Sequence, residues 1–74
     1  MPQRDPLLRA IGLRVRRLRE AKRWTQETLA ERANLDRSYV AAIETGLRNP
    51  SVKAMAKIAR GFDTSLSDLF DGVS

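Results

Sequence analysis

The sequence predicts an all-α fold in which a single domain, residues 1–74, contains five short helices. Apolar residues recur every three or four positions, and residues that favour helix caps precede each such stretch. No stretch shows the alternation of apolar and polar residues that is typical of a half-buried strand. A chain of 74 residues buries only about 60% of the surface that it exposes when unfolded. Its core is therefore expected to be thin and to gain from a partner or a second subunit.

Capping residues set the predicted helix boundaries. The helices are expected at about residues 6–22, 26–33, 37–45, 52–60 and 66–71. The first begins with Pro6 after the N-cap Asp5, because proline is tolerated at the first helical position. Each of the others follows a residue whose side chain can accept a backbone N–H: Thr25, Asp36, Ser51 and Ser65. Asn34 and Gly46 are expected to end the second and third helices, since both tolerate a left-handed backbone.

The helical spacing also predicts which side chains form the core. Ten residues are assigned to it: Leu8, Ile11, Val15, Leu18, Leu29, Val40, Ile43, Met55, Ile58 and Phe62. Val52 is expected to extend the inner stripe of the fourth helix. Trp24, between the first two helices, is expected to be a packing lid, with a platform for stacking bases as the alternative. The last helix offers Leu66, Leu69 and Phe70 as apolar residues.

Basic residues are concentrated at one end of the chain. Fourteen Lys and Arg against nine Asp and Glu give a net charge of +5, and residues 1–23 hold eight of the basic and two of the acidic residues. Residues 61–74 contain three Asp and no Lys or Arg. The basic end is expected to attract polyanions. A solvated helix face is the alternative, as is a membrane surface, although the basic helix lacks the aromatic anchor of membrane-binding helices.

The composition argues against several classes of protein. Without any Cys or His, the chain lacks disulfides, thiolate metal ligands and the commonest general base. We therefore expect no enzyme, no metal site and no cofactor. No apolar run approaches the roughly 20 residues that span a bilayer, and no signal peptide precedes the charged amino-terminal region. A cytoplasmic protein without membrane contact is expected, and one domain leaves no second one to hold a small-molecule effector.

The third predicted helix, within "LDRSYVAAIETG", has an unusual outward face. Val40 and Ile43, with Leu47 beyond them, are expected on its inner side. The outward residues are all small: Ser38, Ala41, Ala42 and Thr45. A short helix, a three-residue turn and such a helix match helix-turn-helix geometry, in which the second helix enters the DNA major groove. Small residues would permit the close approach, and Arg37, Ser38 and Tyr39 would supply the reach. The alternative is that the alanine-rich face packs within the protein or against a second copy.

The stretches "IGLRVRRLREAKRWTQETLAERANLDRSYVAAIETGLRNPS" and "IARGFDTSLSDLF" resemble the Xre-type helix-turn-helix domains, which have the lambda-repressor-like fold. Within that family, "LDRSYVAAIETGLRNPS" is most similar to the controller proteins of restriction–modification systems. The resemblance implies a homodimer that binds a pseudo-palindromic operator in double-stranded DNA and regulates transcription of its own operon. It also implies a contact with RNA polymerase when such a protein activates. A phage-type repressor, the DNA-binding part of an antitoxin and a protein-docking helix-turn-helix module are the alternatives.

The resemblance assigns roles to individual residues. Base contacts are expected from the third helix: Arg37, Ser38, Tyr39, Ala41 and Ala42. Phosphate contacts are expected from positions around it: Gln26, Thr45, Arg48, Asn49 and Lys53. Arg37 is the strongest base-reading candidate because a guanidinium can donate two hydrogen bonds to guanine. Arg19 and Glu44 occupy positions at which the lambdoid repressors bridge their first and third helices.

The dimer contact is expected at the acidic carboxyl-terminal end, away from the phosphates. Its residues are Leu66, Leu69, Phe70 and Val73. The alternative is that these side chains only close the core of the monomer. The chain departs from the family pattern nearby, where Gly61 replaces the usual Ala and Asp63 the usual Gly. Gly61 is expected to weaken the end of the fourth helix.

Overall fold

The computed structural model describes residues 5–73, whose regular structure consists of five helices without any strand. They are α1 (Pro6–Ala21), α2 (Gln26–Ala33), α3 (Arg37–Glu44), α4 (Val52–Gly61) and α5 (Leu66–Leu69). The predicted all-α fold is confirmed, and the first four helices end within one residue of the predicted boundaries. The last helix is shorter than predicted. The predicted domain also includes residues 1–4 and 74, which lie outside the described residues.

Most of the predicted caps form. The hydroxyls of Thr25, Ser51 and Ser65 each accept a hydrogen bond of 3.0 Å from the backbone N–H three residues later. Asp5 accepts one of 2.8 Å from the N–H of Leu7. Asp36 is the N-cap of α3, but its side chain makes no capping bond, contrary to the prediction. The N–H of Tyr39 instead donates to the carbonyl of Asp36 at 3.1 Å, which tightens the first turn.

The core lies between α1, α2, α3 and α4, and α5 closes one end. Seven of the ten predicted core residues are buried: Val15, Leu29, Val40, Ile43, Met55, Ile58 and Phe62. The other three, Leu8, Ile11 and Leu18, are half-buried. Val52 is 77% exposed, so its assignment to the inner stripe of α4 was wrong; it is the first residue of that helix. Leu47 is 66% exposed because it lies beyond the end of α3, where helical spacing no longer applies.

Two glycines allow helices to approach each other closely. A Cβ at Gly12 of α1 would overlap the carbonyl oxygen of Ile43 and lie 2.7 Å from that of Glu44, so α1 crosses α3 in direct backbone contact. A Cβ at Gly61 would lie 3.2 Å from the backbone nitrogen of Ala33. The glycine that was expected only to weaken α4 therefore also lets α4 pack tightly against the end of α2.

Trp24 is a lid on this core. Its ring stacks on Phe62, with centroids 5.6 Å apart and an angle of 4° between the planes. The guanidinium of Arg32 lies 4.3 Å from the centroid of the indole ring. Trp24 is half-buried and packs against the core cluster, in agreement with the predicted packing role.

The α5 helix is attached to α1 through an arginine. Nε and one terminal nitrogen of Arg14 donate hydrogen bonds of 3.0 Å to the carbonyls of Leu69 and Asp68. Both carbonyls belong to the end of the helix; that of Asp68 also accepts the backbone N–H of Asp71 at 3.2 Å, whereas Arg14 is the partner of the Leu69 carbonyl among residues 5–73. Leu69 is 1% exposed and belongs to the core of the monomer, so its predicted role in a dimer contact was wrong. For this residue the alternative, closure of the monomer core, holds.

Candidate DNA interface

Helices α2 and α3 are joined by the tight turn that the sequence predicts. Asn34 ends α2 in the left-handed conformation, with a φ of 56° and a ψ of 50°. The N–H of Leu35 then donates back to the carbonyl of Ala30 at 2.9 Å, and the half-buried Leu35 packs against the core. Only residues 34–36 separate the helices. This fixes α3 relative to α2 and leaves one side of α3 on the surface.

The outward side of α3 presents its predicted base-reading residues. Arg37 and Ser38 are exposed, and neither makes a side-chain hydrogen bond or ion pair with any of residues 5–73. Ala41 and Ala42 are half-buried and follow one turn later. The amino-terminal turn of α3 therefore carries free donor groups, and the next turn carries only methyl groups. Such a surface can come close to another molecule and reach it with its first residues.

Tyr39 lies beside the loop that follows α3. Its ring is half-buried against the core, and the guanidinium of Arg48 lies 5.0 Å from the ring centroid. The backbone N–H groups of Leu47 and Arg48 both donate to the carbonyl of Ala42, at 3.0 and 3.3 Å. Gly46, with a φ of 77°, supplies the left-handed turn that brings the chain back. The loop is thus held against α3 by backbone bonds and by an aromatic contact.

A buried ion pair connects the carboxyl end of α3 to α1. Nε of Arg19 donates to one carboxylate oxygen of Glu44 at 2.7 Å, and a terminal nitrogen donates to the other at 3.0 Å. The remaining terminal nitrogen of Arg19 donates to the carbonyl of Trp24 at 2.7 Å. The two side chains are only 13% and 3% exposed. The hydrogen bond to Glu44, opposed by burial and supported by the carboxylate charge, raises the pKa of Arg19 above its ordinary value.

Gln26, the first residue of α2, joins this pair. Its side-chain nitrogen donates to Glu44 at 3.1 Å, which uses one of the two amide N–H groups and leaves the other without a partner among residues 5–73. The amino terminus of a helix also favours a bound anion. The hydroxyl of Thr45 lies 3.2 Å from the carbonyls of Ala41 and Ala42 and bonds back to its own helix. Asn49 and Lys53 are exposed near the start of α4.

The predicted bridge between Arg19 and Glu44 is present, whereas the bond from Gln26 to the same carboxylate was not expected. The base and phosphate contacts assigned from the sequence stay predictions, although all their side chains are at least partly exposed. No group of three or more His, Cys, Asp or Glu side chains among residues 5–73 could hold a metal ion. In the same part of the chain, no helix has the length and apolar character needed to cross a membrane.

The geometry of α2, its turn and α3 agrees with a comparison to known families. The helix-turn-helix family profile matches residues 15–69. The chain belongs to this helix-turn-helix family. The matched region begins within α1 and ends with α5, so it contains the turn and the loop after α3.

Similar proteins include several controllers of restriction–modification systems. Control protein C.MunI from Mycoplasma sp is 38% identical over 85% of this helix-turn-helix chain and 86% of the relative. The crystal structure of the controller protein C.AhdI from Aeromonas hydrophila has 46% identity and a TM-score of 0.82, covering 85% of this chain and 96% of that one. The resemblance to controller proteins that the sequence indicated is confirmed.

A second solved structure contains DNA. The controller protein C.Esp1396I, solved as a tetramer in complex with its natural 35-base-pair operator, is 34% identical with a TM-score of 0.83. The match covers 90% of this helix-turn-helix chain and 88% of that one. Longer regulators are also similar, and the chain spans 40% and 56% of two of them, an immunity repressor of Bacillus phage phi105 and SinR of Bacillus subtilis (strain 168).

Proposed function

We propose that the chain is a sequence-specific transcription regulator that binds operator DNA through α3 as a homodimer. The observation that carries this proposal is the amino-terminal turn of α3, where Arg37 and Ser38 lie exposed and without a partner among residues 5–73. Arg37 has the donor pattern that guanine accepts in the major groove, and Ser38 can bond a base edge or a phosphate. The half-buried Ala41 and Ala42 leave room for the groove wall, and Tyr39 flanks them.

Side chains around α3 are proposed to bind the phosphates on either side of the groove. They are Gln26, Thr45, Arg48, Asn49 and Lys53. Arg48 is exposed and makes no ion pair with any of residues 5–73, so its guanidinium donors are available to an anion. A phosphate contact fixes position without reading sequence. Replacing Arg48 should therefore weaken binding to all duplexes and reduce the salt slope by about one.

The second half of the operator requires a second subunit. Leu66, Phe70 and Val73 are half-buried in the monomer, which leaves apolar surface at the α5 end for a two-fold contact. Sedimentation of the Phe70→Asp variant should show a weakened dimer. Val52→Asp places the same charge on a 77% exposed valine outside that surface and should leave the dimer unchanged. A wild-type monomer that still binds DNA cooperatively would require a different interface.

The similarity to controller proteins supports a regulator that acts on its own operon. Contact with RNA polymerase is proposed for the activating case. Transcription in vitro from the promoter upstream of this gene, with added protein, tests both points. Transcription that changes as the operator fills supports autoregulation, whereas no change at saturation contradicts it.

Selection of bound sequences from random duplex DNA at near-physiological salt tests the central proposal. A two-fold symmetric consensus is expected, with half-sites about one helical turn apart. The Arg37→Ala variant, selected in parallel, should yield a consensus that is relaxed at one base pair in each half-site. Recovery of no consensus from the wild-type protein, with binding that only declines as salt rises, would contradict a sequence-specific regulator.

A further inference from the structure

One aromatic contact on the proposed DNA-binding surface joins the recognition helix to the loop after it. The guanidinium of Arg48 lies 5.0 Å from the centroid of the Tyr39 ring, within the range of an attractive cation–π interaction. Tyr39 belongs to the first turn of α3 and packs against the core, whereas Arg48 is exposed. The ring is therefore the fixed member of the pair, and the arginine is the member whose position it can set.

The backbone supports the same arrangement. The N–H of Arg48 donates to the carbonyl of Ala42, and this bond places the loop residue next to the last turn of α3. No carboxylate of residues 5–73 forms an ion pair with Arg48. Contact with a ring face leaves the N–H donors at the guanidinium edge free, unlike contact with a carboxylate. The side chain is thus held in place while its hydrogen-bonding capacity stays available.

We propose that Tyr39 is a positioning residue that holds Arg48 ready to bind the DNA backbone, so that α3 and the loop engage the duplex as one unit. This inference rests on the proposed function. It assigns Tyr39 a contribution to affinity for every sequence, in place of the base contact that the sequence predicts. An arginine that is already ordered before binding loses less conformational freedom when it reaches the phosphate.

A second arginine on an aromatic ring provides a matched control. Arg32 lies 4.3 Å from the centroid of Trp24, and the same indole ring stacks on Phe62. This contact covers the lid of the core and involves neither α3 nor the loop. Arg32→Met removes an arginine from a ring as Arg48→Met does, although Nζ of Lys22 stays 5.3 Å from the Trp24 centroid. Only the Arg48 substitution should change the salt slope of DNA binding.

The test has one part without DNA and one with it. In the free protein, the ring current of Tyr39 should shift the side-chain proton resonances of Arg48, and Tyr39→Leu should abolish that shift while Tyr39→Phe keeps it. Resonances of Arg48 at averaged, random-coil positions in the wild-type protein would overturn the proposal. This readout does not depend on DNA binding, so it separates failure of the positioning role from failure of the proposed function.

The DNA part is a double-mutant cycle measured on the selected operator and on a scrambled duplex of the same composition. Tyr39→Leu should weaken binding to both duplexes by about fivefold, consistent with a cation–π contact, and Tyr39→Phe should stay within about twofold of wild type. In the Arg48→Met background, Tyr39→Leu should have almost no further effect. The unfolding midpoint of each variant verifies that it is folded. If Tyr39→Leu is unfolded, the variants Tyr39→Phe and Arg48→Met complete the test.

Two outcomes would assign Tyr39 to base reading instead. One is a loss from Tyr39→Leu that is confined to the selected operator and persists in the Arg48→Met background. The other is a loss from Tyr39→Phe as large as that from Tyr39→Leu, which would place the function in the hydroxyl. If the wild-type protein binds neither duplex while the Arg48 resonances are shifted, the ring contact stands and the proposed function fails.

Discussion

The two sides of α3 differ sharply in burial and in hydrogen bonding. On the inner side, Val40 and Ile43 are at most 1% exposed, and the carboxylate of Glu44 is fully engaged by α1 and α2. On the outer side, Arg37 and Ser38 are exposed and unbonded within residues 5–73. One helix of eight residues therefore serves stability on one side and binding on the other. A substitution on either side should affect mainly one of these two properties.

The inner side also contains the most demanding electrostatic element of the fold. Burying a carboxylate is costly unless it is paired and hydrogen-bonded. Glu44 accepts bonds from two nitrogens of Arg19 and from Gln26, so its oxygens are well satisfied. The outer side avoids such costs, because its half-buried residues are alanines. We therefore expect substitutions on the inner side to lower the free energy of unfolding by a large amount. Substitutions on the outer side should have smaller effects, and these should be confined to the affinity for DNA.

The largest effect is expected at Gly12, where α1 meets the inner side of α3. Gly12→Ala should lower the free energy of unfolding by about 4 kcal/mol, above the usual cost of overpacking, because the added methyl meets carbonyl oxygens that cannot rotate away. Urea denaturation measures this. Arg17→Ala, on the exposed face of the same helix, should stay within about 0.5 kcal/mol. Near-wild-type stability of Gly12→Ala would mean that the two helices are not in backbone contact.

Glu44→Gln should lower the free energy of unfolding by about 3 kcal/mol, since it leaves the buried charge of Arg19 without a counterion. Glu20→Gln breaks the exposed pair with Arg16, whose side chains are 57% and 52% exposed, and should cost less than about 0.5 kcal/mol. Equal losses from the two variants in urea denaturation would contradict the difference between the buried and the exposed pair.

The pH dependence of the buried pair has a definite sign. The pKa of Arg19 is raised by its hydrogen bond to Glu44, so the stabilisation is complete below the ordinary arginine pKa and is lost only above it. The difference in stability between wild type and Glu44→Gln should therefore stay constant from about pH 7 to pH 9, both of which lie below the ordinary arginine pKa. Thermal unfolding across that range measures it, and a difference that shrinks as the pH rises would contradict the assignment.

On the outer side, Arg37→Ala should weaken binding to the selected operator by about 1–3 kcal/mol, which is roughly fivefold to 150-fold. The free energy of unfolding should change by less than about 0.5 kcal/mol, because the side chain has no partner within residues 5–73. Titration of the selected and scrambled duplexes distinguishes its roles. An equal loss on both would make Arg37 a phosphate contact.

The smallest effect is expected from Ser38→Ala, which removes one neutral hydroxyl from the outer side. Loss of a single hydrogen bond of this kind should weaken operator binding by about 1 kcal/mol, or about fivefold. The unfolding midpoint should be unchanged. A loss restricted to the selected operator indicates a base contact, and an equal loss on scrambled DNA indicates a phosphate contact. If Ser38→Ala destabilised the protein as much as Glu44→Gln, the outer side of α3 would also contribute to stability, which would contradict the difference between the two sides.

Local features of the fold were readable from the sequence because their causes lie within a few residues. The hydroxyl caps at Thr25, Ser51 and Ser65 and the left-handed Asn34 act on backbone groups that are at most four positions away. The outward position of Ser38 also followed from helical spacing. The bridge from Arg19 to Glu44 was expected only from the family resemblance, because 25 positions separate the two residues.

The other features of the fold depend on how helices that are distant in the sequence pack against each other. The periodicity of apolar residues gives no information about such packing. From the sequence alone, Gly12 is only a residue of low helix propensity within α1. Its role in the close contact with the backbone of Ile43 is visible only in the structure. Arg14 was one of several arginines of a basic helix, and its bonds to α5 span 54 and 55 positions. Leu69 matches the pattern of an exposed apolar contact as well as that of a core residue. Only the docking of α5 decides between these two roles.

The stack of Trp24 on Phe62 also gives the protein its own optical reporter. Trp24 is the only tryptophan of the sequence, so its fluorescence has a single source. The indole contacts both Phe62, just after α4, and the guanidinium of Arg32 on α2, so its emission depends on whether these segments are docked. Separation of α4 from the segment between α1 and α2 would expose the ring to water and shift its emission to longer wavelength. The unlabelled protein thus reports its own tertiary packing.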